Sequence, residues 1–506
     1  MSKSITLRTL LKNSAYNMAH FTANTLFLLL VTPIFMSRLG AESYGVWILA
    51  TDLLGFLTVA DAGFKAAVVK FVAEYEAKDD VMAISQVLTA VLSFFVVAGA
   101  VVGLSVIVFT PILVELFGVS DALRSQARFA FRMSAVSLIP NLIRRNLVGV
   151  PMAKLRYGWA TALRLGWTIV SMGGVVLVVG TGGDLADAMT WMAVATWGTA
   201  LITGYVVWRL LNRNAISVVW SWTKFKEVFH FSFFSALAAF GTTLFSRVDR
   251  LVVGVLLGPI AAGFYGIATN IASKVNIMAG SMTHVLMPAV SAMNALDATR
   301  IYPIFRRASR IVATLVLGVT TVLFVVANWG LRVWLGDTAS SELVSLVRVT
   351  LVAYGLLSLN VTAYFSVNGL GHPEINALGA LCGSLIVLGL DIVLLPRIGL
   401  IGAGLANFGY FVIFVAFVYI HLRCRRPLFR GLWETLGLPV IGMVLLTAAY
   451  VVYEDRIGPL NSLMFAAIVA LGFTVMALFQ EQSLIKRWGK DIGRWISTIK
   501  AKCGPF

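Results

Sequence analysis

Apolar stretches of nearly equal length, cut apart by short polar breaks, fill this sequence. A bilayer core of about 30 Å takes about 20 helical residues to cross. The chain divides into fourteen stretches of that kind, at approximately residues 17–37, 43–64, 86–114, 122–143, 157–180, 185–208, 229–257, 261–290, 311–335, 343–368, 374–396, 399–422, 435–453 and 459–480. The predicted fold is an all-α polytopic membrane protein with about 14 transmembrane helices. Composition excludes the soluble alternative: 59% of the 506 residues are hydrophobic and 12% are charged, against about 25% charged in soluble domains.

The basic residues give the orientation. If the N-terminus is cytoplasmic, 28 of the 40 Lys and Arg fall in inner segments, and the outer loops carry only Arg38, Arg124, Arg332, Arg397 and Arg456. This is the positive-inside pattern, and it places both termini in the cytoplasm. The net charge of +17 is thus a topology signal and not a nucleic-acid footprint. Cys382, Cys424 and Cys503 are too scattered for a disulfide framework or a metal knot. No cleavable signal is evident, and the residues after Cys503 do not make a prenylation box. In the tail, Leu484, Ile485, Trp488, Ile492, Trp495, Ile496 and Ile499 recur at helical spacing, with Lys486, Lys490, Arg494 and Lys500 mostly elsewhere on the wheel. Tryptophans with lysines in that arrangement predict an interfacial helix on anionic lipid; a partner-binding helix is the alternative.

An internal repeat divides the rest. SRLGAESYGVWIL, Ser37 to Leu49, leaves the first stretch as LLGPIAAGFYGIA, Leu256 to Ala268, leaves the seventh. Both set Leu-Gly at the exit of one span and Tyr-Gly at the entry of the next. Six spans separate the copies, so the halves share one orientation and are related by an axis along the membrane normal. The predicted domains are an N-terminal six-helix lobe (1–213), a C-terminal six-helix lobe (214–430), helices 13 and 14 (431–480) and the amphipathic tail (481–506).

These motifs also resemble a known family. SRLGAESYGVWIL after a helix containing Asn24, then a helix ending at Asp61, Ala62 and Gly63, is similar to the start of the polysaccharide transporter family, the Wzx-type O-antigen flippases of the MOP superfamily. SRVDRLVVGVLLG (Ser246 to Gly258), Tyr265-Gly266, VLMPAVSAM (Val285 to Met293) and LPRIGLIGAGLAN (Leu395 to Asn407) resemble later signatures of that family, over roughly residues 15–425. The resemblance implies a two-lobed, V-shaped bundle. It also implies alternating-access transfer of an undecaprenyl-pyrophosphate-linked oligosaccharide from the inner to the outer leaflet of a bacterial cytoplasmic membrane, alongside other polysaccharide assembly proteins.

Seven cations remain inside spans: Arg128, Arg132, Arg164, Arg247, Arg250, Lys274 and Arg348. At about 3 kcal/mol each near a helix centre, exposing all of them to lipid costs about 20 kcal/mol, more than a typical net stability of about 5–15 kcal/mol. They must face water, partners or head groups. The embedded carboxylates are fewer, namely Asp52, Asp249 and Asp391, with Asp61 near an inner end. A lumen shared by these groups is net positive and suits pyrophosphate. The candidate substrate-binding residues are Arg132, Lys274, Arg128, Arg247, Arg250 and Arg164. Arg124 reads as an interface residue, Arg164 as able to snorkel, Asp249 with Arg250 as a possible structural pair, and Arg348 with Asp391 as another across helices 10 and 11. Asp52, without an adjacent base in sequence, and Asp249 are the candidates for a coupling ion, H+ or Na+. No catalytic or metal constellation is present, which disfavours an enzyme such as a membrane-embedded glycan polymerase or ligase. A multidrug cation antiporter of the same superfamily should carry more embedded acids, and its first helix here has His20 and Asn24 but no carboxylate. A scaffold or lipid scramblase remains a further alternative.

Overall fold

The structure is a computed structural model that describes residues 7–57, 61–154, 156–211, 217–284, 286–454 and 458–480. Hydrocarbon offers no partner for a backbone N–H or C=O, so a chain this apolar folds with its hydrogen bonds inside helices. Among the described residues there is no strand. The helices in chain order are α1 (Leu7–Leu57), α2 (Asp61–Ala77), α3 (Val81–Leu116), α4 (Arg124–Leu147), α5 (Gly149–Ala153), α6 (Tyr157–Gly180), α7 (Leu185–Leu210), α8 (Trp222–Thr283), α9 (Leu286–Leu296), α10 (Ile301–Leu335), α11 (Ser341–Leu357), α12 (Val361–Gly369), α13 (Pro373–Ile398), α14 (Leu400–Ala406), α15 (Val415–Arg423), α16 (Leu428–Leu432), α17 (Leu438–Tyr453) and α18 (Pro459–Gln480). Nine helical stretches among the described residues are long and apolar enough to cross a membrane. The expected interfacial helix at 481–506 lies outside the described residues.

The surface of α3 is an apolar stripe facing outward. Val97, Val101, Leu104, Val108 and Ile112 are all more than half exposed and recur at helical spacing. Gly99 and Gly103 occupy another face of the same helix, against Ile139 and Ala135 of α4. Small residues four apart let two helices approach closely where lipid supplies no hydrophobic drive.

The chain forms two compact units. The first contains residues up to Ile267 with Trp334–Ser340 and Ser384–Ala406; the second contains Ala268–Val333, Ser341–Gly383 and the remainder. Compactness therefore divides the chain at Ile267, whereas the sequence repeat divides it near residue 213. In the first unit α4 packs between α3 and α7, and α1 lies against α6 and α4. Phe71, Val87, Leu138 and Leu142 meet in one of its apolar clusters. In the second unit Phe305, Leu317, Phe417, Met443 and Phe473 share one apolar cluster. The last helices thus contribute to that core: Phe473 of α18 sits where a Cβ on Gly318 of α10 would be only 2.8 Å from it.

The repeated motif has a structural counterpart. α1 and α8 each join two expected spans through a single glycine, Gly40 with φ 82° and ψ 167°, and Gly258 with φ 85° and ψ 178°. That region of backbone space is essentially reserved for glycine. The two motif copies also pack on each other within the first unit. A Cβ on Gly45 would lie 1.8 Å from the carbonyl oxygen of Pro259, and one on Gly263 would lie 3.2 Å from the Gly45 Cα. Gly266 meets Ile48 and Gly254 meets Leu49 along the same crossing.

Gly45→Ala must therefore push apart helices that are in backbone contact. Thermal unfolding of the purified protein in detergent is expected to show a loss of about 1–3 kcal/mol or more. Gly198→Ala is the control, because a Cβ there meets nothing within 4 Å; it should be neutral or slightly stabilising. Equal effects from both substitutions would refute the close crossing.

Candidate functional site

The crossing of α1 and α8 positions a buried charge network in the first unit. Asp52 and Asp249 are each only 5% exposed. The Arg250 guanidinium donates from Nη1 to Asp52 Oδ2 at 2.9 Å. Asp249 accepts at Oδ1 from the backbone N–H of Arg250 (2.8 Å) and at Oδ2 from the Tyr265 hydroxyl (2.7 Å). Tyr265 is the tyrosine of the second motif copy, and its counterpart Tyr44 in the first is equally buried, 3.3 Å from the Thr32 hydroxyl. The tyrosine of each Tyr-Gly pair thus carries a hydroxyl inward while the adjacent glycine allows the helices to approach.

Two sequence expectations are corrected by this geometry. Asp52, read as lacking a base, has Arg250 as its partner, supplied from 198 residues away. The expected pairing of Asp249 with the Arg250 side chain is replaced by a backbone N–H and a phenol. Side chains that are neighbours in sequence on a helix diverge by about 100°, so Arg250 is able to reach α1. A third correction concerns Arg348. It grips Glu454 with both terminal nitrogens, at 2.6 and 2.7 Å, while Nε donates to the Phe324 carbonyl. This bidentate geometry is the strongest that Arg and carboxylate can form, and it ties α11 to the end of α17. Asp391, the expected partner, is instead fully buried, with no hydrogen bond to either oxygen among the described residues. It lies within electrostatic reach of Asp249.

The remaining candidates are placed as follows. Arg128 and Arg132 are exposed on α4, and Arg124 pairs with Asp121 at 2.8 Å as an interface residue can. Arg164 is half-buried with its Nε on the Ala160 carbonyl, 3.2 Å away, so it leans toward the expected inner end of α6. Lys274 is half-buried on the face of α8 that also carries Asn270. The side chains of Arg247, Asp61, His20 and Asn24 lie outside the described residues. At the expected inner face, Lys154 pairs with Glu76 and Lys224 with Glu227; the Tyr75 hydroxyl holds the Lys224 ammonium above its ordinary pKa, with Glu227 adding to the effect. Sequence reasoning passed over Tyr44, Tyr265 and Glu454. The motif had flagged both tyrosines, but only the fold shows where their hydroxyls go.

Because Asp52 and Arg250 are both buried, removing one strands the other. Asp52→Asn and Arg250→Gln are each expected to cost about 3 kcal/mol or more, and the double variant less than the sum of the two. Unfolding of the four proteins in detergent measures the coupling. Strict additivity would show that the pair carries no energy.

Residues 35–341, which include both motif copies, match the family described as "Polysaccharide biosynthesis protein". The chain is 20% identical over 401 residues to the "Putative O-antigen transporter" of Shigella flexneri, covering 78% of this chain and 94% of that protein. It is 23% identical over 386 residues to the "Probable low-salt glycan biosynthesis flippase Agl15" of Haloferax volcanii, covering 74% and 75%. In fold it is similar to the lipid II flippase MurJ in its inward closed conformation, with a TM-score of 0.71 and 14% identity over 93% of this chain and 99% of that one. It is also similar to an inward-facing multidrug resistance MATE family transporter of the MOP superfamily, with a TM-score of 0.67 and 16% identity over 79% and 94%. The family resemblance read from the sequence motifs holds. With more than half its length matched, across both copies of the repeat, the chain belongs to the polysaccharide biosynthesis protein family.

Proposed function

We propose that this protein is a flippase that carries an undecaprenyl-pyrophosphate-linked oligosaccharide, such as an O-antigen, capsule or exopolysaccharide repeat unit, from the inner to the outer leaflet of a bacterial cytoplasmic membrane. The observation that carries the reading is the family match together with two relatives named as an O-antigen transporter and a glycan biosynthesis flippase. The charge inside the spans supports it. Seven embedded cations against three or four carboxylates suit an anionic cargo, since guanidinium and ammonium groups give charge-assisted hydrogen bonds to phosphate oxygens. Arg128, Arg132 and Lys274 are the cations assigned to the pyrophosphate, with Arg164, Arg247 and Arg250 as further candidates. Asp249 and Asp52 are the groups assigned to a coupling ion, H+ or Na+, whose gradient drives alternating access.

A multidrug cation antiporter is the competing reading. The likeness to a MATE transporter concerns the fold, and a cation cargo fits poorly with an excess of embedded arginine. A polymerase or ligase would need positioned acids and bases, and among the described residues no cluster of His, Cys, Asp and Glu could hold a metal ion.

Deletion of the gene is expected to leave lipid-linked glycan in the inner leaflet, and the intact protein to restore export. Arg132→Ala and Lys274→Ala should each lower export about tenfold or more at unchanged protein level, the loss of one charged contact being about 1.5–3 kcal/mol. Normal export in the deletion strain, with no second transporter present, would refute the reading. Normal export by both variants would refute the residue assignment.

A further inference from the structure

The second unit holds a concentration of charge that counts toward the topology but that the transport reading does not use. Arg306, Arg307 and Arg310 of α10, with Arg426 just before α16 and Arg430 within it, line a cavity of about 510 Å3 that, among the described residues, contains one carboxylate, Glu434. Five guanidiniums against one carboxylate leave the cavity strongly positive. Three lysines of the first unit at the same expected inner face are instead matched one to one, Lys78 with Glu74, Lys154 with Glu76 and Lys224 with Glu227. A basic segment that only sets topology has no need to converge on a cavity.

The cavity is built and not merely lined. Glu434 spends both oxygens on two of the arginines, Oε2 on Arg306 Nη2 at 3.1 Å and Oε1 on Arg430 Nε at 2.9 Å, and a single carboxylate carries one charge against five. The Nε of Arg306 is buried without a hydrogen-bond partner among the described residues. Arg426 lies over the Tyr302 ring, 5.2 Å from its centre. Beneath the cavity, Gly431 covers His421; a Cβ there would lie 2.1 Å from His421 Nε2, and that buried nitrogen also has no hydrogen-bond partner among the described residues. Beside the arginines, Phe429 and Trp433 are 88% and 67% exposed and one turn apart. Exposed aromatics in that setting belong at head-group depth in a bilayer.

We propose that this arginine cavity binds a phosphate group, carried by the head group of an anionic phospholipid or by a soluble phosphate. Planar guanidiniums match phosphate oxygens in pairs, and basic pockets on the cytoplasmic side of membrane proteins take anionic head groups. The site is separate from the embedded cations assigned to the cargo, and its readout is binding and not transport.

The test uses the purified, delipidated full-length protein with phosphatidylglycerol, phosphatidylcholine or inorganic pyrophosphate, read by native mass spectrometry and thermal stabilisation. Arg310→Gln/Arg426→Gln removes two charges while leaving both ion pairs of Glu434 in place. Arg423→Gln/Arg425→Gln removes two nearby arginines that do not line the cavity. Phosphatidylglycerol is expected to bind over phosphatidylcholine and to weaken about fivefold for each cavity arginine removed, with the control pair close to the parent protein. Arg310→Lys/Arg426→Lys keeps the charge and should retain most of the binding, which separates loss of the site from loss of folding. Stabilisation by pyrophosphate without a preference for phosphatidylglycerol would assign the site to a soluble phosphate. No preference for either anion, or equal weakening in the cavity and control pairs, would overturn the proposal.

Discussion

A polar group surrounded by hydrocarbon can be satisfied only by the protein itself, and the buried hydrogen bonds and ion pairs of this chain follow from that limit. Hydroxyls within the helices fold back on carbonyls one turn earlier, as Thr110 does on Val106 and Thr199 on Ala195. Charged groups need more. Arg348 is held by Glu454 in a bidentate pair that also fixes α17 to α11, and Arg250 is held by Asp52 where α8 crosses α1. An unpaired charge in such surroundings would cost several kcal/mol. The charged pairs therefore mark the places where helix packing cannot be altered without penalty.

Close packing is what brings those partners within reach. The Leu-Gly and Tyr-Gly motif has two roles: its first glycine turns the chain through a conformation closed to other residues, and the small residues after it let α1 and α8 meet at backbone distance. Asp52 of α1 then faces Arg250 of α8, while Tyr265 and Asp249 meet within α8 across its Gly258 turn. The Asp52–Arg250 pair would not form if a side chain at Gly45 held the helices apart.

The all-helical, membrane-spanning character was legible in the sequence because its signal is local, a run of about 20 apolar residues ended by charge. The repeat was legible as well, since it is written twice in similar letters. The pairings were not. Asp52 and Arg250 are 198 residues apart and Arg348 and Glu454 are 106 apart; adjacency in sequence pointed instead to Asp249 with Arg250, whose guanidinium is bonded to Asp52. Glu454 sits at the end of α17, in what reads as a loop. The arginines of the α10 and α16 region were visible only as topology signals, because convergence on a cavity is a property of folding. The division of the chain also differs by criterion: the repeat reports two similar motifs in the sequence, whereas compactness reports which helices share a core.

The pairings sharpen the meaning of the seven cations that the sequence places inside spans. Arg250 and Arg348 are neutralised by carboxylates and Arg164 leans on a carbonyl, so these three have structural explanations. Arg128 and Arg132 are exposed one turn apart on α4, and Lys274 is half-buried on α8. Exposed arginine is tolerated at membrane depth only against water, a head group or an anionic partner. A guanidinium already committed to a buried carboxylate has little left to offer a cargo, whereas one that stands exposed on a helix face can meet a phosphate without first breaking the fold. Substitutions at Arg250 or Arg348 should therefore act mainly through stability, whereas substitutions at Arg132 or Lys274 should act through transport in a protein that still folds.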